Sequence, residues 1–221
     1  MLELAVKLLL AYLVGSLVGA LVLGAVKGVD IRRLGSGNAG STNALRTQGA
    51  PFAFGVMLID VGKGYLAARV IPGLPWPPAD PELDRAWLAV ATSGAAVVGH
   101  VYPVWHEFRG GKGAATFLGT LLGLAPLYLI PILAVWLVVV AVSGYVGLAT
   151  VCSAFALPLA LALAPHLIPG LHASSLPLLC FGWLAAALIL WTHRANIARM
   201  RAGAEHRAAR LWLLKNRAAR L

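Results

Sequence analysis

Three short polar stretches interrupt an otherwise apolar chain, and each carries residue types suited to holding an anion. Residues 35–43 read Gly-Ser-Gly-Asn-Ala-Gly-Ser-Thr-Asn, with Arg46 just beyond. Their glycines free the backbone for close approach, while Ser36, Asn38, Ser41, Thr42 and Asn43 supply donors and acceptors. Taken singly, the stretch reads first as a Gly/Ser turn between helices. Residues 108–113 read Phe-Arg-Gly-Gly-Lys-Gly and lead into a helix-compatible run from Ala114. A glycine-rich loop at a helix N-terminus presents backbone N–H groups to an anion, and Lys112 adds a full charge. Gly110, Gly111, Lys112 and Gly113 are therefore candidate phosphate ligands, beside the plainer reading of a basic turn at a membrane surface. The loop is not a Walker A motif. His106 stands where its first glycine belongs, and Gly113 replaces the Ser/Thr that would hold magnesium.

The third stretch, residues 193–205, contains His193, Asn196, Arg199 and Glu205. A helical reading puts His193 and Asn196 on one face, three positions apart. Glu205 is the only acid among the arginines of the tail, so a structural ion pair is its expected role. No histidine here has an aspartate five positions on: His100, His106, His193 and His206 are followed there by Trp105, Gly111, Ala198 and Leu211. A His–acid pair of that spacing is excluded. A carboxylate cluster for a divalent metal is not expected, because the polar stretches and their flanks offer only Asp30, Glu107 and Glu205, far apart in sequence. No metal and no cofactor are expected.

The elements that position these stretches follow from composition. Of 221 residues, 60% are hydrophobic and 12% charged, with mean hydropathy +0.82. A soluble domain is about half apolar and a quarter charged; this chain is an integral membrane protein, all-α, and not a disordered, collagen-like or disulfide-framed one. Cys152 and Cys180 lie in apolar stretches and read as buried thiols. The net charge is +10, and eight of 18 Lys/Arg follow His193. Beside so much apolar sequence, a basic tail from about residue 194 suits anionic headgroups rather than nucleic acid.

Five apolar blocks cover residues 4–26, 51–71, 86–105, 114–168 and 174–192. Lys27, Arg32, Arg33 and Arg46 occupy the first connection, and Arg109 and Lys112 the third. Asp80, Glu82 and Asp84 oppose one Arg in the second. The positive-inside rule puts the N-terminus outside and the first and third connections in the cytoplasm. Block 114–168 is 55 residues without Lys, Arg, Asp or Glu. It must cross an odd number of times to return the basic tail inside, and three crossings fit, with breaks near Pro126 and near Ser143 and Gly144. The expectation is seven spans in a single integral membrane domain over 1–221, with all three polar stretches on the cytoplasmic side. Residues 114–125 make a short first crossing. Asp60 and Lys63 lie inside the second span, one helical turn apart, where ionisable groups are costly. They read as a mutual ion pair or as support for the anion site. His166 and His172 fall on the other side without metal-ligand spacing, and Trp and Tyr near span ends read as interfacial anchors.

Together the stretches resemble those of the bacterial acyl-phosphate-dependent glycerol-3-phosphate acyltransferases, the PlsY family. The resemblance rests on residues 35–43 with Arg46, on Gly99, His100, Pro103 and 108–113, and on His193, Asn196, Gly203 and Glu205, in that order along the chain. It implies acyl transfer from acyl-phosphate to the 1-hydroxyl of sn-glycerol 3-phosphate, giving lysophosphatidate and phosphate, by a monomer in the bacterial inner membrane. By the same resemblance Ser36, Arg46, Lys112, His193 and Asn196 line the active site. Where the family has a Ser-rich turn after the fifth span, this chain has Gly147 and Thr150, so Thr150 is the candidate hydroxyl there. Two anionic substrates fit the basic and Gly-rich stretches, with Arg gripping a phosphate bidentately. Lacking a protein-borne base, the chemistry reads as substrate-assisted, a phosphate oxygen of the donor taking the hydroxyl proton. CDP-alcohol transferases need an aspartate cluster that is absent here. A transporter or channel for a small phosphorylated anion would explain Asp60 and Lys63, but not three polar stretches on one face.

Overall fold

The computed structural model describes residues 1–76, 80–167 and 175–214. His172 lies outside the described residues. Among them the regular structure is helical throughout, in two compact units, Met1–Pro126 and Leu127–Leu221.

In the first unit, α1 (Leu2–Gly15) and α2 (Gly19–Lys27) meet at 46°. The stretch read from hydropathy as one unbroken span is thus two helices, with Val18 extended between them. A short turn Ile31–Arg33 and α3 (Ser41–Gln48) lead to α4 (Ala50–Tyr65), which opens with Pro51 in its first turn and continues as one π turn, Leu66–Val70. Then follow α5 (Arg85–Val101) and α6 (Ala114–Leu124). The Asp84 carboxylate caps α5 by accepting from the N–H groups of Ala86 and Trp87.

Close packing between these helices depends on missing side chains. A Cβ on Gly15 would strike the Ala96 backbone, one on Gly99 the backbone of Tyr12, and one on Gly64 or Gly119 the facing backbone across α4 and α6. Small residues at helix contacts allow this approach where lipid gives no hydrophobic drive for association. Glu3 pairs with Arg85 at the start of α1 and α5, and Gly15 faces Ala96 further along, so the two helices run parallel. The unit therefore has one end at the start of α1 and another where the 35–43 and 108–113 loops emerge.

The second unit holds α7 (Leu129–Ser143), α8 (Val146–Leu167), α9 (Leu176–Thr192) and α10 (Arg194–Arg201). The breaks anticipated near Pro126 and Gly144 are present, Gly144 taking φ +76° between α7 and α8. The chain after α10 returns to that turn. Ala208 N–H donates to the Gly144 carbonyl at 2.7 Å, and Leu213 N–H to that of Ala141 at 2.9 Å. The Arg207 guanidinium stacks on Tyr145 and Trp212, 4.7 and 4.0 Å from the ring centres. This tail arginine is thus held by aromatic faces of its own chain.

Among the described residues, three helices are long and apolar enough to cross a membrane, or up to five if each bent pair counts as one span. The α6 helix, 11 residues long, is the short element expected after the glycine-rich loop.

Candidate active-site elements

At the loop end of the first unit, Asn43 organises residues 35–43. Its side chain is 1% exposed, accepts from the Ser36 N–H at 2.9 Å and donates to the carbonyls of Leu34 and Ile31 at 2.9 and 3.3 Å. A Cβ on Gly35, which sits at φ +57°, would overlap the Asn43 amide oxygen. Both amide hydrogens of Asn43, a candidate phosphate contact, go to backbone carbonyls, and its side chain holds the exposed Ser36 in place. Asn38 is half-buried with its amide beside Gly40, and Arg46 is exposed on α3.

Asp30 accepts from the backbone and guanidinium of Arg32, and Arg32 also donates to the His106 carbonyl at 3.3 Å. This ties the start of the first loop to the approach of the second. Hydrogen bonding to Arg32 holds the Asp30 carboxyl below the usual carboxylate range, against a smaller desolvation effect.

The glycines of the 108–113 loop have a packing job that their spacing did not suggest. Gly110 and Gly111 donate their N–H groups to the carbonyls of Val101 and His100, each at 3.1 Å. A Cβ on Gly110 would overlap the His100 carbonyl, and one on Gly111 the His100 ring. Their amides are therefore spent on the end of α5, and the two residues are glycine so that the loop can lie against it. Gly113, at φ +86°, starts α6. What this loop can offer an anion is the half-buried Lys112 and the opening turn of α6, whose first N–H groups have no helical acceptor. Just upstream, Glu107 and Phe108 both take positive φ, 57° and 59°, an unusual conformation for side-chain-bearing residues.

Beneath these loops lies the pair anticipated inside the second span. Lys63 Nζ is 2.8 Å from Asp60 Oδ1 and 2.9 Å from His100 Nδ1, and it donates to the Leu17 carbonyl at 3.0 Å. Asp60 Oδ1 also accepts from Gly19 N–H at 3.0 Å. The ion pair thus satisfies backbone groups released where α1 breaks from α2.

In the second unit, His193 sits at the 52° bend between α9 and α10 and is 4% exposed. Its Nδ1 lies 2.8 Å from the Ile189 carbonyl. A carbonyl only accepts, so Nδ1 carries the hydrogen and a neutral ring has its lone pair on Nε2. Asn196 Nδ2 donates to Glu205 Oε1 at 2.7 Å, and Arg199 Nε to Glu205 Oε2 at 2.6 Å. Glu205 therefore forms the anticipated ion pair and orients Asn196 as well. Gly147 leaves room for Asn196, whose atoms would lie 3.1 Å from a Cβ there. Thr150, expected to offer substrate a hydroxyl, donates it to the Val146 carbonyl at 2.9 Å and accepts from Trp136 Nε1 at 3.3 Å. Its role here is to tie α7 to α8.

Sequence reasoning missed a buried network at the other end of the first unit, where Lys7 joins Glu3 at 2.8 Å. Their i,i+4 spacing was the available signal.

Comparison with known proteins gives these elements a common setting. The family model described as glycerol-3-phosphate acyltransferase matches residues 5–203. A glycerol-3-phosphate acyltransferase of Chlorobaculum tepidum is 38% identical over 219 residues, covering 90% of this chain and 94% of that one. One of Chlorobium chlorochromatii is 39% identical over 228 residues, covering 94% and 97%. Among solved structures, PlsY (YgiH), an integral membrane glycerol 3-phosphate acyltransferase, matches in its glycerol 3-phosphate form with TM-score 0.78 and 32% identity, covering 92% of this chain and 94% of that one. Its lysophosphatidic acid form matches with TM-score 0.76 and 31% identity, covering 94% and 97%. A family match over residues 5–203, with relatives 38–39% identical over nine-tenths of the chain or more, means that the chain belongs to the glycerol-3-phosphate acyltransferase family.

Proposed function

We propose that this protein transfers a fatty acyl group from acyl-phosphate to the 1-hydroxyl of sn-glycerol 3-phosphate, releasing lysophosphatidate and phosphate. The observation that carries this reading is the similarity over more than nine-tenths of the chain to a protein solved with glycerol 3-phosphate. In this reading the hydroxyl oxygen attacks the acyl carbon, the C–O bond to phosphate breaks, and an oxygen of the donor's phosphate takes the hydroxyl proton. Lys112, the start of α6, Ser36, Asn38 and Arg46 hold phosphate charge, and His193 and Asn196 position reacting groups. Neither Cys nor any Ser is given a nucleophilic role, because no serine of the polar stretches has an identifiable base beside it.

The same reading makes the chain one integral membrane domain of the bacterial inner membrane, acting as a monomer on the cytoplasmic side. Seven apolar segments support it: α1 with α2, α4 with its π extension, and α5 to α9. The N-terminus is then outside and the tail inside. Cysteines placed singly at Gly40, Arg109 and Arg207 should label only from the cytoplasmic side, and labelling from opposite sides would refute this topology.

The decisive experiment is an assay of the purified protein with acyl-phosphate and glycerol 3-phosphate, set beside uptake of glycerol 3-phosphate into vesicles. Lysophosphatidate and phosphate should appear in equal amounts, without metal, and protein given labelled acyl-phosphate alone should carry no covalent acyl group. Uptake without acyl transfer would overturn the reading.

A further inference from the structure

We infer that His100 is a positioning residue for substrate binding, held by Asp60 and Lys63 so that it fixes the 35–43 and 108–113 loops against each other. The inference rests on the reading that Lys112 and its loop bind phosphate.

The Asp60–Lys63 pair holds the ring by one nitrogen. His100 Nδ1 lies 2.9 Å from Lys63 Nζ and 3.3 Å from Asp60 Oδ1. Lys63 Nζ also donates to the Leu17 carbonyl, and Asp60 Oδ1 accepts from Gly19 N–H and from Lys63. The other ring nitrogen, Nε2, faces Gly111. A Cβ on Gly111 would overlap Nε2 and would lie 2.9 Å from the Ala39 carbonyl. Ala39 belongs to the first polar loop and Gly111 to the second, so the two loops meet at the edge of this ring.

The backbone of the same residue acts too, since its carbonyl receives the Gly111 N–H. One histidine therefore fixes the second loop twice, and through Lys63 and Asp60 it is anchored to the break between α1 and α2. His100 is 2% exposed, Asp60 0% and Lys63 4%. Charges so deep are costly, and well-packed apolar residues would serve stability as well or better. What apolar residues cannot do is hold an imidazole in one plane by polar contacts to its ring nitrogen.

The test compares His100→Phe, His100→Gln and Lys112→Ala in purified full-length protein, each checked for a native unfolding midpoint in detergent. His100→Phe keeps a ring but loses its hydrogen bonds. It should raise the KM for glycerol 3-phosphate about 10-fold or more, with a smaller change in kcat. His100→Gln keeps a side-chain amide that can both donate and accept, and should recover most of the loss, with an unaltered pH profile of kcat/KM. Lys112→Ala should raise the same KM. A native KM in His100→Phe, with Lys112→Ala impaired, would overturn the role of His100 and leave the phosphate loop standing. A native KM in Lys112→Ala would remove the phosphate loop and the inference with it. A His100→Gln protein that is inactive, or that loses one limb of the pH profile, would make the ring an acid or base and not a positioner. Should His100→Phe not fold, the neutral double variant Asp60→Asn with Lys63→Met carries the test. It should show the same rise in KM, and a native KM there would overturn the inference.

Discussion

The first unit carries a buried ionic network at each end, and the two are built differently. At the start of α1, the three hydrogens of Lys7 reach Glu3 and the carbonyls of Pro72 and Leu74, each at 2.8 Å. Glu3 also accepts from Arg85 at 2.5 Å and from the Asp80 N–H at 3.1 Å, and Asp80 pairs with the terminal amine. Both oxygens of Glu3 and every hydrogen of the Lys7 ammonium have a partner. At the loop end, Asp60 Oδ2 is one of two buried side-chain oxygens, among the described residues, with no hydrogen-bond partner; Thr116 Oγ1 is the other. An unmet buried polar group costs about 1–3 kcal/mol. A fold keeps such a group where a local rule is broken for function, and it completes its networks where only closure is needed. The first network ties helix ends together. The second holds a histidine against two loops.

The largest effect that could break this comparison is at Lys7. Lys7→Met removes one partner of a buried network and leaves three backbone or carboxylate acceptors without their donor. The thermal midpoint in detergent should fall by about 5–10 °C, while KM and kcat of the protein that remains folded stay native. His100→Phe should show the opposite pattern, with KM moved far more than the midpoint. A Lys7→Met protein with native stability and a raised KM for glycerol 3-phosphate would erase the distinction between the two ends.

How much of this was legible in sequence depended on whether a residue's role is set by type or by neighbours. Hydropathy located the apolar segments and the breaks at Pro126 and Gly144, because proline, glycine and length act locally. The pairing of Asp60 with Lys63 followed from i,i+3 spacing, and that of Glu205 with an arginine from scarcity of acids. The break between α1 and α2 did not show, since its stabilising partners come from α4, more than 40 positions away. The packing of Gly110 and Gly111 against the end of α5 did not show for a related reason. A glycine that exposes its N–H and one that makes room for a facing carbonyl look identical in sequence. The hydrogen-bond partners of Asn43 and Thr150, within their own loop and helix pair, were likewise invisible to residue type alone.

The smallest effect concerns Asp30, whose ion pair with Arg32 is at the loop end but open to solvent, with side chains 29% and 26% exposed. Its folded pKa is depressed, with hydrogen bonds from Arg32 the largest cause. A depressed carboxyl contributes stability that is fully present above its unfolded pKa, about 3.9, and that is lost as pH falls through the lower folded value. Exposure and salt limit the contribution to less than about 1 kcal/mol. Asp30→Asn should therefore lower the unfolding midpoint slightly at pH 7, with the gap from the native protein closing below about pH 4. The gap should also narrow at high salt, which is the mark of an exposed pair. A gap that widens on acidification would mean that Asp30 is protonated in the folded protein and that Arg32 is held by something else. If it closes as expected, the loop end divides into an exposed ion pair that steadies the 30–34 turn at little gain and a buried one beneath it that orients His100.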